Sequence, residues 1–259
     1  MKSITTSIHS GVATLTLNRP EVFNSFNGEM ALLLQSQLDA CEADQNIRAI
    51  VITGQGKAFC AGQDLKEVTT PELHPGFKKI LEDHYNPIIE RIRAIEKPII
   101  AAVNGVAAGA GANIALACDI VVASEKASFI QAFSKIGLVP DSAGSFFLPR
   151  LIGFQKASAL MLLGDKVSAA QAQDLGMIYK VFDPETFLQE VHSLALHMAQ
   201  LPTKALGLTK KLLNASFNNT LEQQLALESK LQIQAANSND YKEGVSAFVE
   251  KRKPNFKGN

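Results

Sequence analysis

Three short stretches constrain the fold more than anything else in the chain: Ala49-Ile-Val-Ile-Thr53, Pro98-Ile-Ile-Ala-Ala-Val103 and Ile120-Val-Val-Ala123. Each is apolar at nearly every position. A strand with polar alternate residues can leave one face in water, but a strand without them must be covered on both. Segments of helical spacing lie between them. Met30, Leu33, Leu34, Leu38 and Cys41 recur on one face of Gly28–Ala43. Lys78–Ile95 also reads as a helix, with Asn86-Pro87 as a kink. Ahead of these, Val12–Leu17 alternates in strand fashion until Asn18-Arg19-Pro20 ends it. Buried strands alternating with helices give an α/β domain with mainly parallel pairing.

From about residue 142 the pattern turns mostly helical. Ala157–Leu163 and Ala169–Leu175 are helical segments, and Gly176–Phe182 holds a short strand. After Pro202 the chain is helical almost to its end, over 204–216, 221–237 and 240–251. A boundary near residue 200 therefore divides a core of residues 1–200 from a helical region of residues 201–259. Three helices alone make a poor core, so the last region is expected to pack on the first or on another subunit.

Composition narrows the function classes. The 259 residues carry 25 Lys+Arg against 25 Asp+Glu, a net charge of zero. That disfavours a dedicated nucleic-acid binder. Pro98–Ser124 is long and apolar enough to suggest a membrane span, but Asn104, Asn113, Asp119 and three glycines interrupt it, so no membrane partner is expected. The N-terminus lacks the apolar run of a signal peptide, and three cysteines without CxxC spacing suit a reducing cytoplasm. His192 and His197 are five apart and no HExxH is present, so no metal site is expected. His84, between Asp83 and Tyr85, reads as a solvated helix position, and Cys60 as a small buried residue rather than a nucleophile.

Three segments could carry chemistry. Phe59-Cys-Ala-Gly-Gln-Asp-Leu65 follows a buried strand, where a glycine lets the backbone turn sharply against a ligand. Asn104-Gly-Val-Ala-Ala-Gly-Ala-Gly-Ala-Asn113 follows another and enters a helix. Its Gly109 and Gly111 begin a GxGxxG pattern, but position 114 is Ile, so a dinucleotide fingerprint is incomplete. Free N–H groups at a helix start can hold an anion or a developing oxyanion, and small residues there also allow close helix packing. Gly137-Leu-Val-Pro-Asp-Ser-Ala-Gly144 reads as a loop entering a helix, with Asp141 in the N-cap position.

Taken together, the order and spacing of these pieces resemble the crotonase (enoyl-CoA hydratase/isomerase) superfamily. The matching runs are Leu17-Asn-Arg-Pro-Glu21, Ala58–Leu65, Lys97–Gly105, Gly109-Ala-Gly111, Ala117-Cys-Asp-Ile120 and Glu243–Lys251. The resemblance implies a spiral of ββα units followed by helices that build a homotrimer or a dimer of trimers. It implies an acyl-CoA thioester as substrate, with coenzyme A as part of that substrate and no separate cofactor. The thioester carbonyl would lie between backbone N–H groups matching Gln63 and Ala110, which leaves the side chain at Gln63 free to vary. Residues Ala61, Gly62, Gln63, Asp64 and Leu65 would contact adenine and pantetheine, with Gly109 beside them. Phe248 and Lys251 match positions that help bind CoA, often across a subunit boundary, and Lys251-Arg252-Lys253 would supply the local positive charge.

The resemblance also bears on the reaction. Hydratases of the superfamily use two glutamates; those positions are Asn113 and Phe133 here, and both are expected to contact the substrate. Neither can carry a proton near neutrality. Asp141 matches the position of the catalytic aspartate in isomerases of the superfamily. The Ala107–Asn113 and Gly137–Asp141 runs resemble the ring-epoxide isomerases of phenylacetate degradation, which also shift double bonds in enoyl-CoA. An acyl-CoA isomerase is the expected activity, with an enoyl-CoA hydratase as the alternative. An apolar surround, drawn from Phe133, Phe146 and Phe147, would raise the pKa of Asp141. The acyl-pocket walls would come from Leu65–Tyr85 and from the C-terminal helices.

Overall fold

The computed structural model describes residues 2–259. Strands β1 (Ile4–His9) and β2 (Val12–Leu17) form a hairpin, followed by helix α1 (Gly28–Ala43). Then come β3 (Ala49–Gly54), β4 (Ala58–Cys60), α2 (Leu65–Thr69) and α3 (Phe77–Lys79). A π-helical turn over Ile80–Tyr85 leads into α4 (Asn86–Ala94). Next are β5 (Ile99–Val103), β6 (Val106–Ala108), α5 (Ala110–Ala117), β7 (Ile120–Ser124) and β8 (Ser128–Ile130). The chain continues through α6 (Gly144–Ile152), α7 (Phe154–Leu163), β9 (Lys166–Ser168), α8 (Ala169–Asp174), β10 (Lys180–Phe182) and α9 (Phe187–Gln200). Helices α10 (Thr203–Ser216), α11 (Leu221–Ala236) and α12 (Asn239–Val249) complete it.

Two sheets result, one ordered β1-β2-β3-β5-β7-β10 and the other β4-β6-β8-β9. The strand pairs β3/β4, β5/β6 and β7/β8 each send their first strand to the larger sheet and their second to the smaller. Each repeat stacks on the last in parallel register. This is the expected ββα spiral. Asn104 stitches successive turns: its Nδ2 donates to the carbonyls of Gly56 and Ala58, and its Oδ1 accepts from the Gly54 N–H.

The larger sheet explains the fully apolar strands. Ile50, Ile52, Ile99, Ala101 and Val103 face a core shared with α1, α4 and α5. Ala49, Val51, Ile100, Ala102 and Val122 face the other way, onto Phe187, Val191, Ala195 and Ala199 of α9. Alternate residues thus meet different layers and every position stays dry.

Lys78–Ile95 is not one kinked α-helix. Pro87 has no N–H to give, and its ring would crowd the carbonyl four residues back. The preceding turn widens instead, so that the Asn86 N–H reaches the Leu81 carbonyl. The carbonyls of Asp83 and His84 accept from Nε2 of Gln35 on α1, at 2.8 and 3.0 Å. His84, expected in solvent, is buried at 5% exposure, packed over Gly28 at the start of α1, where a Cβ would lie 2.9 Å from the imidazole.

Helix α10 is tied to the core by charge. Asp119 accepts from Arg93 at 3.1 Å and from Lys210 at 2.8 Å, and Lys210 also donates to the Ile92 carbonyl. Among the described residues, no helix is long and apolar enough to cross a membrane.

Candidate active site

The site is built where β4 and β6 of the smaller sheet end. After β4 the chain turns at Gly62, with φ +94°, and after β6 it turns at Gly109, with φ +53° and ψ −128°. L-residues rarely adopt either conformation. The turns lie against each other: a Cβ on Gly62 would stand 3.0 Å from the Ala108 carbonyl oxygen and 3.6 Å from the Ala110 nitrogen. Gly111 serves packing instead, because a side chain there would run into Cys60. Within the glycine-rich run, the turn thus falls to Gly109 and the close packing to Gly111. Ala110 is the first residue of α5, and Gln63 follows the other turn. Among the described residues, neither N–H is taken up by an acceptor of the chain.

These two N–H groups border a cavity of about 880 Å³. One wall is Leu65, Val68, Phe77, Ile80, Leu81 and Tyr85. Phe133, Ile136, Leu138, Val139 and Asp141 also line the cavity. The C-terminal helices, expected to share the lining, contribute none of it; it comes from the 61–86 and 109–143 segments.

Asp141 supplies the only carboxyl group on the lining among the described residues. Burial pushes its pKa up to about 6, against a smaller lowering from the Ser142 hydroxyl, which donates to Oδ1 at 2.9 Å. Phe133 is part of its apolar surround. Phe146 and Phe147 do not line the cavity: both stack edge-on with Phe217, Phe146 beneath Arg150 and Phe147 beneath Arg93.

Asp141 is not an N-cap. Helix α6 starts from Ala143, with no side-chain cap, after two consecutive left-handed residues, Ser142 (φ +49°) and Ala143 (φ +57°). Such pairs are strained for L-residues and persist only where neighbours hold them. The neighbour here is Asn113. Its Nδ2 donates to the Asp141 carbonyl at 2.9 Å, and its Oδ1 accepts from Gln131 Nε2 at 2.7 Å. Asn113 is fully buried beneath the loop and absent from the cavity lining, so it supports Asp141 rather than touching substrate as expected. Gly144 leaves it room, since any Cβ there would overlap the amide.

Other expected residues divide. Ala61, Gly62, Gln63, Leu65, Gly109, Ala110 and Phe133 meet at the cavity. Asp64 is turned away: it pairs with Arg19 at 2.7 Å and caps α2 by accepting from the Lys66 N–H. That pairing explains the Asn18-Arg19-Pro20 segment, which anchors the Gly62 turn to the loop after β2. Phe248, 85% exposed, and Lys251 lie on and just after α12, outside this cavity. In the basic cluster Arg252 is neutralised by Glu243 and Glu250, leaving Lys251 and Lys253 to carry the charge. Cys60 is inert, fully buried with its thiol pushed up to about 12.

Sequence spacing did not single out Tyr85, Glu67, Gln131 or Ser142. The Gln63 side chain, whose identity was expected to be free to vary, is held at both ends: Tyr85 Oη donates to its Oε1 at 2.8 Å, and its Nε2 donates to Glu67 Oε2 at 2.6 Å.

Comparison with known proteins agrees with this geometry. The family profile for enoyl-CoA hydratase/isomerase matches residues 7–259. The chain is 48% identical to the 1,2-epoxyphenylacetyl-CoA isomerase of Escherichia coli (strain K12), covering 100% of this chain and 99% of that protein. It is 38% identical to the 2,3-dehydroadipyl-CoA hydratase of the same organism, over 100% of both. The crystal structure of an enoyl-CoA hydratase from Polaromonas sp. JS666 superposes with a TM-score of 0.91 at 36% identity, covering 98% of this chain and 99% of that one. The chain belongs to the enoyl-CoA hydratase/isomerase family, within the crotonase superfamily.

Proposed function

We propose that the protein is an acyl-CoA isomerase, acting on ring 1,2-epoxyphenylacetyl-CoA and on Δ3-enoyl-CoA, with Asp141 as its one acid/base. The observation that carries this reading is the single carboxyl group on a largely apolar cavity, beside two unengaged backbone N–H groups. The Asp141 carboxylate takes a proton from an acyl carbon, and the electron pair moves into the thioester to make a dienolate. The Gln63 and Ala110 N–H groups stabilise the oxyanion; one such donor is typically worth about 3 kcal/mol. Protonated Asp141 then returns the proton at another carbon, so the carboxylate is regenerated and the double bond has moved. For the epoxide, the same oxyanion hole would hold the thioester while the ring expands to an oxepin. A pKa near 6 suits one group that must both take and give a proton near neutrality.

The 48% identity to an epoxyphenylacetyl-CoA isomerase supports this substrate class. The decisive assay compares turnover of trans-3-hexenoyl-CoA and 1,2-epoxyphenylacetyl-CoA by the native protein and by Asp141→Asn. Loss of both turnovers is expected, and unchanged turnover refutes the reading. Hydratase relatives favour a second reading, hydration of the enoyl double bond. Brisk hydration of crotonyl-CoA would establish it, whereas slow hydration beside fast isomerisation decides for the isomerase.

The region 201–259 is read as an assembly element of a homotrimer or a dimer of trimers. Exposed Leu221, Leu225, Ile233 and Val245 on α11 and α12 support this, and Phe248 and Lys251 would then reach a neighbour's CoA. Sedimentation analysis gives the subunit number. Three unpaired, buried cysteines suit a cytoplasmic location.

A further inference from the structure

The Gln63 side chain is one link in a chain of hydrogen bonds that the proposed mechanism does not use. It begins at the N-terminus of α1, where the Gly28 N–H donates to Glu67 Oε1 at 2.8 Å. The other carboxylate oxygen of Glu67 accepts from Gln63 Nε2, and Gln63 Oε1 accepts from the Tyr85 hydroxyl. A carboxylate can only accept and a Gln amide has one donor end. The amide orientation is therefore fixed by its partners, and Tyr85 must donate.

Tyr85 is itself immobilised. It is 1% exposed, stacks edge-on with Phe26 at 6.0 Å between centroids, and ends the π-helical turn that Pro87 imposes. Its ring forms part of the cavity wall. The backbone at Gln63 needs such support. The preceding residue is Gly62, the least restricted residue type, in a positive-φ conformation. The Gly62 carbonyl is pinned by the Phe26 N–H at 2.7 Å. Because the Gly62–Gln63 peptide is planar, that bond orients the Gln63 N–H together with the carbonyl, and the freedom that remains is rotation and displacement of the peptide about the carbonyl axis, which bonds to the Gln63 side chain restrain.

We propose that Tyr85 is a positioning residue for the oxyanion hole: through the Gln63 amide, and with Glu67 at its other end, it holds the Gln63 residue in place, so that the N–H oriented by the Gly62 carbonyl bond stays on the thioester oxygen. The inference rests on the oxyanion-hole reading given above. A bulky acyl group seated against the Tyr85 ring would press on the same linkage, so filling of the pocket and polarisation of the carbonyl are coupled.

The test uses the full-length protein with trans-2-hexenoyl-CoA carrying ¹³C at the thioester carbonyl, read by difference infrared spectroscopy, and with trans-3-hexenoyl-CoA for kinetics. In the native protein the bound carbonyl stretch moves to lower frequency than in free ester. Tyr85→Phe, which removes one oxygen and keeps the ring, is expected to lose part of that shift. Its kcat falls about tenfold with KM within about twofold, less than loss of a donor because the donor remains but is displaced. Glu67→Ala, which releases the other end of the amide, is expected to give the same pair of changes, so the proposal does not hang on one variant folding. A native carbonyl shift and kcat in both variants would overturn the proposal while leaving the oxyanion hole intact. No carbonyl shift in the native protein would overturn both.

Discussion

Replacing Asp141 by Asn is expected to remove activity and to stabilise the protein at the same time. Burial raises the Asp141 carboxyl from 3.8 to about 6. At 1.36 kcal/mol per unit, that is about 3 kcal/mol by which the folded state disfavours the ionised form. The sign follows from linkage. A carboxyl whose folded pKa is raised binds its proton more tightly in the native state, so stability is lost as pH rises from about 4 through 6. Above that range the native protein carries the full penalty. Asn has nearly the same shape, keeps an oxygen to accept from Ser142, and has no charge to bury. For a chain of this size about 1 kcal/mol corresponds to 2–4 °C. The variant should therefore melt about 5–10 °C higher than the native protein at pH 8, with the gap narrowing towards pH 5. Isomerase turnover should fall about 10²–10⁴-fold, the usual share of a general acid/base. Parallel melts from pH 5 to 8 at matched concentration and heating rate, with activity on trans-3-hexenoyl-CoA, check both halves. An Asn variant less stable than the native protein at pH 8, or a gap that does not change with pH, would refute the claim that burial sets this pKa.

Activity of the native protein should itself fall as pH drops through about 6, since the proton-abstracting form is the carboxylate; a kcat/KM profile flat between pH 5 and 8 would contradict this. Asn113→Leu leaves Gln131 Nε2 without a partner in a buried place and the Asp141 carbonyl with the Gly144 N–H as its remaining donor, which should cost about 1–3 kcal/mol in denaturant unfolding and lower kcat more than it raises KM. Gly109→Ala meets no clash, its Cβ lying 3.7 Å from Phe133, yet forces an L-residue to φ +53°; turnover should drop about 100-fold if conformation there sets the oxyanion hole. Native protein should show no thiol reactive to DTNB at pH 8, and three after denaturation, because Cys41, Cys60 and Cys118 are all buried with thiols pushed up to about 11 or 12.

Much of the framework is written in local pattern. The bounds of α1 coincide with Gly28–Ala43, and the three apolar runs are the three central strands of the larger sheet. These elements are long or strongly periodic, and each must bury its apolar residues whatever its neighbours do. The smaller sheet is less legible. Strand β6, Val106–Ala108, reads as loop because three residues carry no period, and only pairing with β4 and β8 makes it a strand. The π turn before Pro87 is signalled by the proline, but its freed carbonyls are satisfied by Gln35 of another helix, whose Nε2 donates to them.

The site shows the same division. Composition, motif order and the loss of both hydratase glutamates already point to one family and to Asp141, because covalent identity decides which groups can carry a proton. What those residues touch was decided by the tertiary structure. Asp64 looks like a substrate contact until Arg19 claims it, and Asn113 until it proves to hold the Asp141 carbonyl from below. Gln63 looks interchangeable until Tyr85 and Glu67 close on it from segments 22 and 4 residues away. Sequence alone determined the elements and the available chemistry, through propensity, periodicity and side-chain identity. Burial, orientation and pKa belonged to the fold, since each depends on residues remote in the chain that only packing brings together.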